Sequence, residues 1–207
     1  MTRGGAGGEG MQEERVIIAG FGGQGIMFMG KLLCYAGMLE GRHVTYMPSY
    51  GAEVRGGTAY CNVIISSDEI HSPVVASPTS AIIMNMPSLI KFEPILVKKG
   101  LLIVNSSLVS RPAKRKDIEM IAIQATGIAD RLGNTRVANM VALGAFLAKR
   151  DIVQMQTALA AVEEMLPPYR QHLVEVNRQA LREGKAFVES HSSDAIWSKI
   201  TRGFGFG

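Results

Sequence analysis

Short apolar runs rich in Val and Ile, each followed by a turn and then by helically spaced apolar residues, recur through the first 125 residues. That alternation predicts an α/β domain built on a mainly parallel sheet. The predicted strands cover Arg15 to Ala19, His43 to Met47, Ala59 to Ser66, Ala81 to Asn85, Leu101 to Asn105 and Glu119 to Ala125. Ala59 to Ser66 runs into the turn signal Ser66-Ser67-Asp68-Glu69, so a short strand around Ile70 is expected to pair with it as a hairpin, making the sheet mixed. Helices are predicted over Gly25 to Glu40, Ser88 to Lys98 and Thr135 to Lys149. Pro94 interrupts the second pattern, while Lys98-Lys99-Gly100 suits its C-terminus. Past residue 150 the pattern is wholly helical, Val153 to Met165 and Tyr169 to Ser190 being separated by Pro167-Pro168, and this end reads as an appendage, cap or interface element. Val137, Met140, Val141, Gly144, Ala145 and Ala148 form a face of apolar and small residues, suited either to the chain's own sheet or to another subunit.

At 207 residues and 47% hydrophobic content, the chain can bury the core of one domain, expected over residues 15–190 with a flexible leader at 1–14 and a tail at 191–207. The net charge of +4 comes from 22 basic and 18 acidic residues spread along the sequence, which is too mild to indicate nucleic acid. Cys34 and Cys61 lie in apolar segments without CxxC spacing, fitting neither a zinc site nor a disulfide scaffold, and read as inert buried thiols. Met27, Met29 and Met38 in the first helix read as core filling. His43, His71, His172 and His191 show no i, i+4 pairing, so neither metal ligation nor a catalytic triad is expected of them. No run of 18 apolar residues and no secretory signal is apparent, so no membrane association and a cytoplasmic location are expected.

The first strand runs into Gly20-Phe21-Gly22-Gly23-Gln24-Gly25 and then into a helix. Gly20, Gly22 and Gly25 satisfy Gly-x-Gly-x-x-Gly in the strand–loop–helix context of a three-layer Rossmann-like domain, where exposed backbone N–H groups at a helix N-terminus favour a phosphate. A dinucleotide site also needs an acidic side chain ending the second strand, and here that strand ends Tyr46-Met47-Pro48, with Glu40 preceding it. NAD or flavin binding therefore remains a rival reading, as does a loop that serves packing alone. Gln24 is placed to donate its side-chain amide to a phosphate or to a neighbouring chain.

A second loop, Pro48-Ser49-Tyr50-Gly51-Ala52-Glu53-Val54-Arg55-Gly56-Gly57-Thr58, is expected at the same sheet edge as the first. Arg55 beside Gly56 and Gly57 combines a charged fork with exposed backbone N–H groups, suited to a phosphate or carboxylate; the bland alternative is a Glu53–Arg55 pair on a solvated turn. Asn105-Ser106-Ser107 follows a strand and is expected to cap a helix.

The two loops in this order, with Ile64-Ile65-Ser66, Met86-Pro87-Ser88, Leu102-Ile103-Val104-Asn105 and Asn139-Met140-Val141-Ala142-Leu143-Gly144-Ala145, resemble the gamma subunit of 2-oxoacid:ferredoxin oxidoreductases over roughly residues 15–187. That group handles pyruvate, 2-oxoisovalerate and 2-oxoglutarate, with indolepyruvate in a related branch. The resemblance implies a complex that oxidatively decarboxylates a 2-oxoacid to an acyl-coenzyme A and passes electrons to ferredoxin. It would use thiamine diphosphate, magnesium, iron–sulfur clusters and coenzyme A, and would contain alpha, beta and delta or ferredoxin-like subunits. It also implies that Gly22, Gly23, Gln24, Gly25, Glu53, Arg55, Gly56 and Gly57 lie at coenzyme A or at a subunit interface, without deciding which. The chain has no Gly-Asp step for a thiamine diphosphate motif, and its two cysteines fall short of the about four a cluster needs, so no redox chemistry is expected of it alone. An interface left exposed when the chain is isolated from its partners offers a route to a homo-oligomer.

Overall fold

The computed structural model describes residues 13–50 and 58–191. Six strands form one sheet: β1 (Glu13–Phe21), β2 (His43–Tyr50), β3 (Thr58–Ser66), β4 (Ser80–Ile83), β5 (Leu101–Asn105) and β6 (Glu119–Ile123). Their order is β2-β3-β1-β4-β5-β6, with β1, β4, β5 and β6 mutually parallel and β3 antiparallel to both its neighbours. The mixed sheet is thus as expected, but its origin differs. Ile70 is in no strand, because both edges of β3 are already paired, and the antiparallel partners are β1 and β2. β2 lies at the sheet edge, where Pro48 removes no ladder bond that a second neighbour would need.

β1 starts two residues earlier than predicted, inside the expected leader, because Glu14 is structural. Its carboxylate is fully buried, accepts from Thr79 Oγ1 at 2.8 Å and from Ser80 Oγ, and lies 3.6 Å from Arg150 Nε. A buried carboxylate persists only with such partners.

The helices are α1 (Ile26–Leu39), α2 (Met86–Phe92), α3 (Ala125–Arg131), α4 (Ala138–Leu147), α5 (Met155–Met165) and α6 (Val174–Ser190). Asn85 caps α2, its side chain accepting from Ser88 N at 2.9 Å, and Pro87 fits the first turn. Pro94 ends that helix early, in a 3-10 turn at Glu93–Ile95, instead of letting it run to Lys98. α3 was absent from the predicted elements: the sixth strand stops at Ile123, and Asn105 holds the start of α3, its Oδ1 accepting from Thr126 N at 3.4 Å and its Nδ2 donating to Thr126 Oγ1 at 2.9 Å.

Strand residues alternate between two cores. Val16, Ile18, Val63, Ile65, Ile82 and Ile103 face the layer holding α1 and α3 to α6. Ile17, Ala19, Ile64, Ile83, Leu102 and Val104 face a thinner layer made of α2 and long connections. One such connection is fastened by the buried Glu93 carboxylate, which accepts from Arg111 Nη2 at 3.0 Å, Arg115 N at 2.9 Å and Lys114 N. Burial alone would push this carboxyl up, but the N–H of Arg115, the Arg111 guanidinium and the N–H of Lys114 together hold it below the ordinary carboxylate range.

The helical end is part of the core. All ten residues of α4 are buried, and α4 crosses α6 backbone to backbone. A Cβ on Gly144 would lie 2.0 Å from Leu181 O, and one on Gly184 would lie 2.0 Å from Val141 O. The small-residue face therefore packs within this chain, against α6. Met29 is buried as expected, whereas Met38 is 59% exposed and fills no core. Cys34, on α1, and Cys61, on β3 beneath it, are buried, and desolvation pushes both thiols up to about 12, in keeping with inert thiols.

Candidate functional site

The glycine loop leaves β1 and turns into α1 with Gly23 and Gly25 both in the left-handed region, at φ 91° and 73°. Gly25 is the N-cap residue, and no side chain caps the first turn, so its N–H groups are left to a ligand or solvent. Asn139, at the start of α4, donates from Nδ2 to Gly25 O at 3.3 Å and braces the loop from behind.

Gln24 is engaged within the loop. Its Oε1 accepts from Phe21 N at 2.6 Å and its Nε2 donates to Met84 O at 3.3 Å, tying the loop to the end of β4. That bridge occupies the crevice between the carboxyl ends of β1 and β4, the switch point where an open α/β sheet receives a dinucleotide. The strand beside β1 on the other side is the antiparallel β3, so the end of β2, where a ribose-binding acid would stand, is two strands away. Among the described residues, the Gly-x-Gly-x-x-Gly loop therefore lacks the surroundings of an NAD or flavin site.

The second loop departs from the same end of the sheet as the first. Phe21 pairs with Thr58 and Ala59 pairs with Tyr50, so the described residues on either side of the loop lie level with the end of β1. Glu53, Arg55, Gly56 and Gly57 fall outside the described residues.

What the sequence does not reveal is a cleft of about 670 Å³ beside the glycine loop. Gly23, Gly25 and Phe28 form one wall. Asn134, Arg136, Val137 and Asn139, from the turn into α4, form the second. The third is the connection from α5 to α6, a 3-10 turn at Pro168–Leu173 that carries Tyr169, Arg170 and His172. Apolar side chains such as Phe28, Val137, Leu166 and Leu173 supply much of the lining, and no lining residue is acidic. Arg136 and Arg170 form no ion pair among the described residues, although Arg15, Arg111, Arg115, Arg150, Arg178 and Arg182 all do. An apolar cavity with unneutralised guanidinium groups at its rim and helix N–H groups at one end suits an amphipathic anion. Gly22 has no neighbour within 4 Å of a would-be Cβ and is not a lining residue. Among the described residues no cluster of His, Cys, Asp or Glu is fit to hold a metal, and no helix is long and apolar enough to cross a membrane.

Fold and cleft define a Rossmann-like domain whose glycine loop lines a side cleft, with Gln24 filling the place of the dinucleotide crevice. The family model for pyruvate ferredoxin/flavodoxin oxidoreductase matches residues 15–187, and the chain belongs to that family. A ketoisovalerate oxidoreductase subunit VorA of Methanothermobacter marburgensis is 39% identical over 137 residues, covering 66% of this chain but only 28% of that protein. A 2-oxoglutarate synthase subunit KorC of Methanothermobacter thermautotrophicus is 33% identical over 182 residues, covering 84% of this chain and 95% of that protein. The crystal structure of a keto/oxoacid ferredoxin oxidoreductase gamma subunit from Geobacter sulfurreducens superposes with a TM-score of 0.75 at 28% identity, covering 86% of this chain and 99% of that one.

Proposed function

We propose that this chain is the gamma-type subunit of a 2-oxoacid:ferredoxin oxidoreductase, supplying subunit interfaces and a grip on coenzyme A while the bond-making occurs on other chains. The observation that supports this most is the cleft: its acid-free lining, free arginines and helix N–H groups match a thiol carrier that has an aromatic base and several phosphates. Gly23 and Gly25 with the first turn of α1 take the diphosphate, Arg136 neutralises it, and Gln24 holds the loop in the conformation this requires. Glu53, Arg55, Gly56 and Gly57, outside the described residues, remain candidates for the same ligand, since β2 and β3 on either side of them end level with β1. Thiamine diphosphate, magnesium and the clusters are assigned to alpha, beta and delta-type subunits. The similar subunits serve ketoisovalerate and 2-oxoglutarate enzymes alike, so the 2-oxoacid is left to the partner chains.

The test is kinetic and uses the assembled complex. Arg136→Ala removes one charge-assisted contact and should raise the KM for coenzyme A about tenfold. Gly127→Ala, which lies off the cleft and whose methyl would meet nothing closer than 3.8 Å, should leave that KM where it is. An unchanged KM in Arg136→Ala would remove the cleft from coenzyme A binding.

A further inference from the structure

The turn that closes the cleft is exposed yet firmly held. None of its residues is buried, and Tyr169 is 73% exposed. Nevertheless Pro167 and Pro168 restrict its entry, Arg170 N donates to Pro167 O at 2.8 Å, and Gln171 Nε2 staples it to Leu166 O at 2.6 Å and to Glu163 O at 3.1 Å. The Arg170 guanidinium lies 5.4 Å from the centroid of the Tyr169 ring, forming a cation–aromatic pair at the mouth of the cleft. A surface turn with this many restraints and no buried side chain is pre-ordered for a partner, because ordering it contributes little to the core.

We propose that this turn reads the far end of the carrier: Tyr169 stacks on the adenine, and Arg170 pairs with the phosphate monoester on the ribose 3′-oxygen. The assignment rests on the coenzyme A reading above and deepens it. The glycine loop and α1 form another wall and already offer N–H groups for the diphosphate, so the second unneutralised arginine is left for a second, separate phosphate. A planar guanidinium suits a phosphate monoester bidentately, and an exposed aromatic ring suits a purine face. Gln171 acts as a positioning residue, its side-chain amide donating to the backbone carbonyls of Glu163 and Leu166 at the end of α5.

The experiment compares coenzyme A with 3′-dephospho-coenzyme A as acceptor thiols for the assembled complex. The wild-type complex should show a KM for the dephospho form about tenfold or more above that for coenzyme A, the scale of one charge-assisted contact. Arg170→Ala should raise the KM for coenzyme A to near the dephospho value without moving the latter, so the ratio collapses towards one. Tyr169→Ala should raise both values, since both thiols carry adenine. Gln171→Ala, which loosens the turn that carries both side chains, should raise both values in part and lower their ratio in part. Equal KM values for the two thiols in the wild-type complex, or equal increases for both in Arg170→Ala, would overturn the assignment of the turn. The underlying reading is judged separately by Arg136→Ala: an increase for both thiols keeps it even if the turn is misassigned, and no change for either removes both.

Discussion

Replacing Gly144 with Ala tests the crossing of α4 and α6. The added methyl would lie 2.0 Å from Leu181 O, 2.8 Å from its carbonyl carbon and 3.0 Å from its Cα, where ordinary contact begins at 3.4 Å. All three atoms are backbone, so no side chain can rotate away, and the helices must separate by roughly an ångström in a close-packed interior. Separation loosens Val141, Ala145, Ala180 and Leu181, each fully buried. Overpacking of this kind costs about 3 kcal/mol, the upper part of its usual range. Alanine is the better helix former by about 1 kcal/mol, which leaves a net loss of about 2 kcal/mol. For a chain of this size that lowers Tm by about 4–8 °C, measurable by circular dichroism during a thermal scan. Gly127→Ala supplies a control of opposite sign. Gly127 is also helical, but its nearest neighbour would be 3.8 Å away, so propensity acts unopposed and Tm should rise by about 1–4 °C. Gly184→Ala should match Gly144→Ala, and the double variant should cost less than the sum, because the first methyl has already parted the helices. A Gly144→Ala chain as stable as wild type, or shifted in the same direction as Gly127→Ala, would refute the close crossing.

Other outcomes follow from features described above. Glu93 titrates below its unfolded value, so the unfolded chain binds the extra proton; stability from this group is present above the ordinary glutamate pKa of about 4.3 and is lost as pH falls below it. Glu93→Gln should therefore flatten the acid limb of a stability-versus-pH curve, and should cost about 1–3 kcal/mol in denaturant titrations near neutral pH. Gly25→Ala forces a left-handed residue with a side chain against Asn139 Nδ2, 2.3 Å away, and should cost at least about 1–2 kcal/mol by the same titration. With both thiols pushed up to about 12, Cys34 and Cys61 should resist a thiol-specific chromogenic reagent in the folded chain and react in denaturant. Fast reaction of the folded chain would contradict their burial.

The strands were legible because runs such as Val16-Ile17-Ile18 and Leu101-Leu102-Ile103-Val104 are apolar on both faces, and in this sheet both faces are covered. Direction was not legible. β3 carries Val63-Ile64-Ile65 like the parallel strands of the sheet, and only its pairing with β1 and β2 shows it to be antiparallel. α3 escaped notice because Ala125–Arg131 is seven residues long, contains Thr126 and Gly127, and directly follows an apolar strand that absorbs its first residue. The glycine loop was readable from its spacing, but the partners of Gln24 were not, since Met84 is 60 residues away. Two walls of the cleft were missed for a similar reason. Arg136 belonged to a predicted helix, and Tyr169, Arg170 and His172 to another; the 3-10 turns that expose them have no apolar period to announce them. The Pro167-Pro168 pair marked where the third wall begins without showing what it faces.

Because α4 is enclosed on every side, its amides can meet solvent only when the whole domain opens. The residue that braces the glycine loop, Asn139, sits on that helix. Deuterium uptake would therefore be slowest behind the cleft and fastest in the turn across its mouth, so the subunit has one immobile jaw and one whose order is purely local. A population of molecules that has lost the immobile jaw is simply an unfolded population.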